Sequence, residues 1–355
     1  MKPMPFFTTP TALRLVSGLH ILVLLVCGSL LPARGATFLL PTDGGTIVGQ
    51  LQVVTTDSRN TLLDIARHFD LGFEEITVAN PGVSIWLPGE GTRIVVPTMF
   101  ILPPKPWQGV VLNIPQRRLY YFPRPKANEP ATVITFPIGT ARTGWPTPLG
   151  TTRITGKYKD PAWFVPKSIQ EEHRKQGEFD FPEYFPPGPD NPMGMLAIGT
   201  GFDKIFIHST NRPWGVGMRV SHGCIRLYPE DAAELFADLA VGTPVRIINQ
   251  PVMLGERDGV LYLGVSNPVG EYPEDVDDLL LRAVDAVALY LEAQPIAPEI
   301  DWERVREAVA AKRMLPVPVS VGAPSLDDII ALIAPQHHDF EPYGIDANQG
   351  LPPER

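Results

Sequence analysis

The pattern of apolar and polar positions divides the chain into stretches of different period. Val53-Val54 reads as a short strand. Behind Thr61, a residue suited to capping, Leu62, Ile65, Ala66 and Phe69 recur at helical spacing. A second short helix over 73–79 stops at Asn80-Pro81-Gly82, and Ile94-Val95-Val96 closes the unit with a strand. Residues 48–97 therefore predict a small βααβ module. Three prolines within 98–106 predict a short, stiff linker. Over 107–249 the period becomes that of strands. Segments 109–114 and 118–122 flank a Pro-Gln-Arg turn, and further strands are expected at 132–138, 150–156, 204–208 and 243–248, with a helix over 229–239. Residues 157–195, rich in proline and aromatics, predict a long functional loop such as a lid over a cleft. In 250–355 a strand at 260–265 is followed by helical periods at 276–293, 302–314 and 326–333, then by a disordered end. The fold class is α+β and mainly β: the βααβ module, a β-rich sandwich or barrel, and a partly helical extension.

Lys2 and Arg14 precede a mostly apolar run over 15–31, and Ala33-Arg34-Gly35 offers the small residues that a signal peptidase reads. Residues 1–35 are thus expected to be an export signal cleaved near Gly35, leaving Ala36 first in a periplasmic protein. An uncleaved anchor is the minor alternative. A lipoprotein signal at Cys27 is disfavoured because Val26 precedes it. The formal charge of −9, made more acidic by loss of the basic leader, excludes a nucleic-acid partner that needs a basic face. Forty prolines and thirty-one glycines indicate turns and strand ends rather than long helices.

Beyond the leader one cysteine remains, Cys224, within Ser221-His222-Gly223-Cys224. It has no partner for an internal disulfide. A thiolate is a strong nucleophile, and an imidazole can generate it. His208 ends the strand expected at 204–208, and a Gly- and Asn-containing excursion over 209–219 can return the chain beside it. Gly223 permits a backbone conformation that a side chain opposes, and such a turn can aim consecutive N–H groups at an oxyanion. Competing readings are a buried filler cysteine, zinc ligation by His208, His222 and Cys224, and a purely structural His222.

Ile207-His208-Ser209-Thr210-Asn211, followed by Arg219-Val220-Ser221-His222-Gly223-Cys224-Ile225-Arg226-Leu227, closely resembles the signature of L,D-transpeptidases of the YkuD type. Thr147-Pro148-Leu149-Gly150 and Gly188-Pro189-Asp190-Asn191-Pro192-Met193-Gly194 support the likeness. The module at 48–97 resembles LysM, a binder of peptidoglycan glycan, through Leu63-Asp64-Ile65-Ala66, Asn80-Pro81-Gly82 and 91–97. Together they resemble the periplasmic branch that attaches the Braun lipoprotein to peptidoglycan, over residues 36–268. Ser209 departs from that branch, where glycine is usual.

The resemblance implies that His208 takes the proton of Cys224 while the Ser209 carbonyl orients its ring. Cys224 attacks the meso-diaminopimelate carbonyl of a tetrapeptide stem and expels D-alanine. Main-chain N–H groups of His222, Gly223 and Cys224 stabilise the oxyanion, and an amine resolves the thioester. Arg226 and Arg219 are candidates for a substrate carboxylate, with structural ion pairing as the alternative, and Asn211 for a hydrogen bond to the stem. The implied partners are peptidoglycan stems and glycan, with an outer-membrane lipoprotein as a possible acceptor. No metal or organic cofactor is expected. A hydrolase of the same fold (carboxypeptidase or amidase) and a non-catalytic wall-binding protein are the alternative functions.

Overall fold

The computed structural model describes residues 35–340 apart from Asp277. The expected export signal, apart from Gly35, and the expected disordered end therefore lie outside the described residues. Described strands join mainly into one nine-stranded sheet. Its order is Ala36–Leu39, Thr132–Pro137, Arg118–Phe122, Gly109–Asn113, Pro244–Ile248, Gly150–Lys159, Leu196–Thr200, Phe206–His208 and Ile225–Arg226. The ten-residue strand Gly150–Lys159 belongs to both halves. Its first part pairs with Pro244–Ile248 and its second with Leu196–Thr200, with a register shift between Ile154 and Gly156. Such an irregularity bends a strand, so the expected sandwich or barrel is here a single curled sheet. Val110, Leu119 and Phe136 from one half share a core with Ile198, Ile207 and Ile225 from the other, and with Leu235 of the helix Pro229–Asp238.

The first unit has the strand–helix–helix–strand order: Gln52–Thr55, Leu62–His68, Phe73–Ala79 and Arg93–Val96, with the two strands antiparallel. Thr61 and Asp64 form a reciprocal capping box. Asn80, 6% exposed, donates to the Ile76 and Val95 carbonyls and accepts from the Val95 N–H, tying the second helix to the closing strand.

This unit is not separated from the sheet by a spacer. Met99–Ile101, inside the stretch read as a linker, is a buried strand paired with Ile47–Gly49. The prolines follow it and do not prevent pairing, because only a proline's own N–H is missing. Val54, Leu62, Ile65 and Ile76 of the unit share a core with Val111, Tyr120 and Phe122 of the sheet. Arg118, 1% exposed, crosses between them. Its Nε and Nη2 donate to the two Glu75 oxygens at 2.7 and 2.8 Å, Nη2 also to the Asp70 carbonyl, and Nη1 to Thr135. Arg67 forks onto Glu230 in the same manner, and Arg117 pairs with Glu74.

The C-terminal part is folded over 250–340. A hairpin, Val252–Arg257 with Val260–Val265, is extended by Val317–Pro318 and packed by helices Leu279–Glu292 and Trp302–Ala311. Leu326 shares a cluster with Ile47, Val95 and Met99, and Gln336–His337 adds a parallel pairing to Gln52–Thr55. Its last segment thus covers an edge of the βααβ unit, which alternation of apolar residues alone does not reveal.

Breaking a buried ion pair on one side strands the other charge. Glu75→Gln is therefore expected to lower unfolding stability by about 3–5 kcal/mol in chemical denaturation. Because the cores are shared, one cooperative transition is expected rather than separate melting of the unit and the sheet.

Candidate active site

Strand pairing brings the distant residues together. Phe206–His208 and Ile225–Arg226 run parallel, with Ile207 opposite Ile225 and His208 opposite Arg226. Side chains on a strand alternate between faces. Ile207 and Ile225 enter the core, so Phe206, His208, Cys224 and Arg226 fall on the other face, and all four line one cleft of roughly 1320 Å³. Cys224 lies diagonally across the pairing from His208. Gly223, with φ of +107°, makes the turn between the strands Arg219–Ser221 and Ile225–Arg226. The positive φ favours glycine there, and a Cβ would in addition press on the Ile205 Cδ1 at 3.0 Å. Two hydroxyls brace the turn: Thr147 donates to the Gly223 carbonyl at 2.9 Å and Ser221 to the Cys224 carbonyl at 2.5 Å.

His208 is buried, and its Nδ1 lies 2.6 Å from the Ser209 carbonyl. A carbonyl only accepts, so Nδ1 carries the proton and Nε2 keeps a lone pair. Ser209 is itself fixed, since Gly194 packs so closely that a Cβ would come within 2.8 Å of Ser209 Cβ. Burial, assisted by the Arg226 charge, depresses the His208 pKa to about 4. Burial also raises the Cys224 thiol above its ordinary value, against the Phe206 main chain and Arg226, which lower it. The thiol is half-buried and its hydrogen bond runs to the Lys204 carbonyl at 3.4 Å. Burial thus favours a neutral imidazole and a neutral thiol over an ion pair.

His222 also lines the cleft, but its partners come from elements that the sequence did not connect with it. Its Nε2 is 3.0 Å from Glu172 Oε2 and 2.5 Å from Arg142 Nη2, and its ring meets Trp145 edge to face at 4.7 Å. Arg142 and Glu172 pair as well. Glu172 belongs to the helix Lys167–Lys175, within the segment expected to be a lid. That segment is ordered: Trp163–Phe164 pairs with Tyr184–Phe185, and the Asn191 side chain binds the Pro161, Phe185 and Pro186 carbonyls. Trp163, Phe164 and Ile169 supply part of the cleft wall.

The remaining expected residues divide. Arg226 faces the cleft, its Nε without a hydrogen-bond partner. Arg219 does not line the cleft. Its guanidinium is engaged by Glu271 at 2.6 Å and by the Val269 and Ala141 carbonyls, so the ion-pair alternative holds for it. Asn211, partly exposed in the excursion, is also outside the lining. Glu172, Arg142 and Thr147 are the site residues that sequence reasoning missed as such. Thr147 lies in Thr147-Pro148-Leu149-Gly150 and Glu172 in the segment expected to be a lid, whereas Arg142 carried no signal.

The family model of the L,D-transpeptidase catalytic domain, YkuD, matches residues 108–247. The "Probable L,D-transpeptidase YbiS" of Escherichia coli (strain K12) is 37% identical over 299 residues, covering 82% of this chain and 94% of that protein. The chain belongs to the L,D-transpeptidase family. Similar to this transpeptidase too is the "Probable L,D-transpeptidase ErfK/SrfK" of Salmonella typhimurium, 35% identical over 295 residues, 81% of this chain and 92% of its own. Among solved structures, L,D-transpeptidase 3 from Mycobacterium tuberculosis aligns with 44% of this chain and 67% of its own at 20% identity, with a TM-score of 0.29. The protein is an enzyme of peptidoglycan L,D-transpeptidation.

Two outcomes follow from the electrostatics. Alkylation of Cys224 by iodoacetamide should rise in one step above about pH 8.5, the ordinary thiol value. A preformed thiolate–imidazolium pair would instead give a plateau through neutral pH. Glu172→Gln should leave the fold intact while speeding amide exchange over 167–175 about threefold or more, because the partly exposed ion pair holding the lid helix is modest.

Proposed function

We propose that Cys224 is the nucleophile and His208 the base of this transpeptidase, acting on the tetrapeptide stem. The single observation carrying this reading is the shared face of His208, Cys224 and Arg226 in one cleft, with the His208 ring oriented by the Ser209 carbonyl. With Nδ1 bonded, Nε2 accepts the thiol proton as Sγ turns from the Lys204 carbonyl toward the substrate. Sγ bonds to the diaminopimelate carbonyl carbon, and its oxygen takes the charge. The N–H groups of His222, Gly223 and Cys224 at the glycine turn stabilise it. The His208 imidazolium, supported by the Ser209 and Met193 main chain, protonates the departing D-alanine amine. An amine then attacks the thioester, and the proton returns to sulfur.

Arg226 binds a carboxylate of the stem, consistent with its unpartnered Nε and its place in the cleft. His222, tied to the lid through Glu172, couples lid position to the nucleophile turn. The βααβ unit acts as a LysM-like holder of glycan, and the acceptor amine is a lipoprotein lysine or a second stem. The leader over 1–35 directs export to the periplasm. No helix among the described residues is long and apolar enough to cross a membrane.

The test is incubation of purified protein with disaccharide-tetrapeptide, with and without a lysine-containing acceptor peptide. Wild type should release D-alanine and form the cross-linked product only with acceptor, and should form a thioester with a carbapenem. Cys224→Ala and His208→Ala should lose about a thousandfold or more in rate. Tripeptide as the sole product in both incubations points to a hydrolase, and full activity in Cys224→Ala removes the thiol from the mechanism.

A further inference from the structure

The first described strand begins at an acidic pocket that the transfer chemistry does not use. Ala36–Leu39 forms one edge of the nine-stranded sheet, with Ala36 opposite Thr135. The Ala36 N–H donates to Asp70 Oδ2 at 2.9 Å, and the Gly35 N–H to Glu234 Oε2 at 2.6 Å. Asp70 lies between the two helices of the βααβ unit. Asp231 and Glu234, three residues apart, share a face of the helix Pro229–Asp238 that follows the nucleophile.

Asp70 is 6% and Asp231 2% exposed, and their side chains are hydrogen-bonded to each other. Apart from that carboxyl–carboxyl contact, Asp70 Oδ1 and Asp231 Oδ2 accept no hydrogen bond from an N–H or hydroxyl group among the described residues. Two carboxyls in contact cannot both ionise without a cation, and a buried acceptor left unmade is costly. Burial accordingly pushes Asp70 up to about 7 and Asp231 well above the carboxylate range. Arg118 forks onto Glu75 and bonds the main-chain oxygen of Asp70, so that its charge offsets the burial of the Asp70 carboxyl only in part, and Arg67 forks onto Glu230. Glu75, Glu230 and Glu234 add further negative charge around the pair. The pair thus holds a proton where a cation could sit, directly beside the nitrogen at which the leader is expected to be cut.

We propose that cleavage after Gly35 turns the Ala36 amide into an α-ammonium that docks in the pocket of Asp70 and Asp231, locking the mature fold. This inference rests on the export reading given above. In the cleavage, catalysed by a signal peptidase, water adds across the Gly35–Ala36 bond. Gly35 leaves as a carboxylate, and the Ala36 nitrogen takes up protons to become the ammonium. One N–H then becomes three. The bond to Asp70 Oδ2 is kept, and two donors and a positive charge become available to Asp70 Oδ1 and its neighbours. The ammonium thereby joins the edge strand, the βααβ unit and the helix behind Cys224 at a single point.

The experiment compares the chain starting at Ala36 with the same chain carrying one extra residue, Gly35, both released from a fusion that leaves no other residue. The Ala36 form should melt about 3 °C or more higher, and its α-amine should react with an amine-selective ester at pH 7 about tenfold more slowly than that of a short Ala-Thr-Phe-Leu peptide. In Asp70→Asn the difference between the two starts should vanish. The comparison of starts needs no core substitution, so it stands even if that variant folds poorly. N-terminal sequencing of exported protein should read Ala36. Equal melting of the two starts, or an ordinarily reactive amine, overturns the docking alone. A first residue other than Ala36 overturns its register, and protein recovered only with the leader attached overturns the export reading with it.

Discussion

The Arg118 guanidinium is the constraint on which the arrangement depends. A cation taken out of water is tolerated only where its donors and charge are met. Here one carboxylate, one main-chain oxygen and one hydroxyl meet four of its N–H directions, and the Phe100 ring lies 4.1 Å beneath it. The carboxylate belongs to the βααβ unit and the hydroxyl to the sheet. Neither part reaches its observed state alone, because each would leave a buried charge behind. Arg67–Glu230 and the Tyr228 hydroxyl on the Leu71 carbonyl continue the same seam up to the helix Pro229–Asp238.

That seam bears on the chemistry through the sheet's register. Parallel pairing of Phe206–His208 with Ile225–Arg226 decides which side chains share a face, and a slip of one residue would turn Cys224 into the core and Ile225 into the cleft. The core residues Ile207 and Ile225 prevent that slip by burial. The positions between them are thereby free to carry an imidazole, a thiol and a guanidinium that a packed interior would not accept. Burial favours the neutral forms of the His208 imidazole and the Cys224 thiol on this face.

The lid helix is joined to this face by Glu172, which contacts His222 and Arg142 together. The position of that helix and the orientation of the His222 ring are therefore linked through one carboxylate. Gly217, approaching Gly72 so closely that a Cβ on Gly72 would lie 2.7 Å from its Cα, brings the excursion after His208 against the βααβ unit.

By itself the sequence determined the period of most strands and helices, the βααβ order, and the nucleophile motif, because these rest on local alternation, capping and turn residues. His208 and Cys224 were legible for the same reason: a strand end and a glycine turn are local signals. The tertiary structure alone decided that 98–106 is no spacer, that Arg219 is consumed by Glu271 while Arg226 is not, and that Glu172 serves His222. It also decided that the last described strand returns to Gln52–Thr55. Each of these is a pairing between residues far apart in the chain. Such pairings depend on which buried charges and strand edges find one another, a competition that no local pattern records.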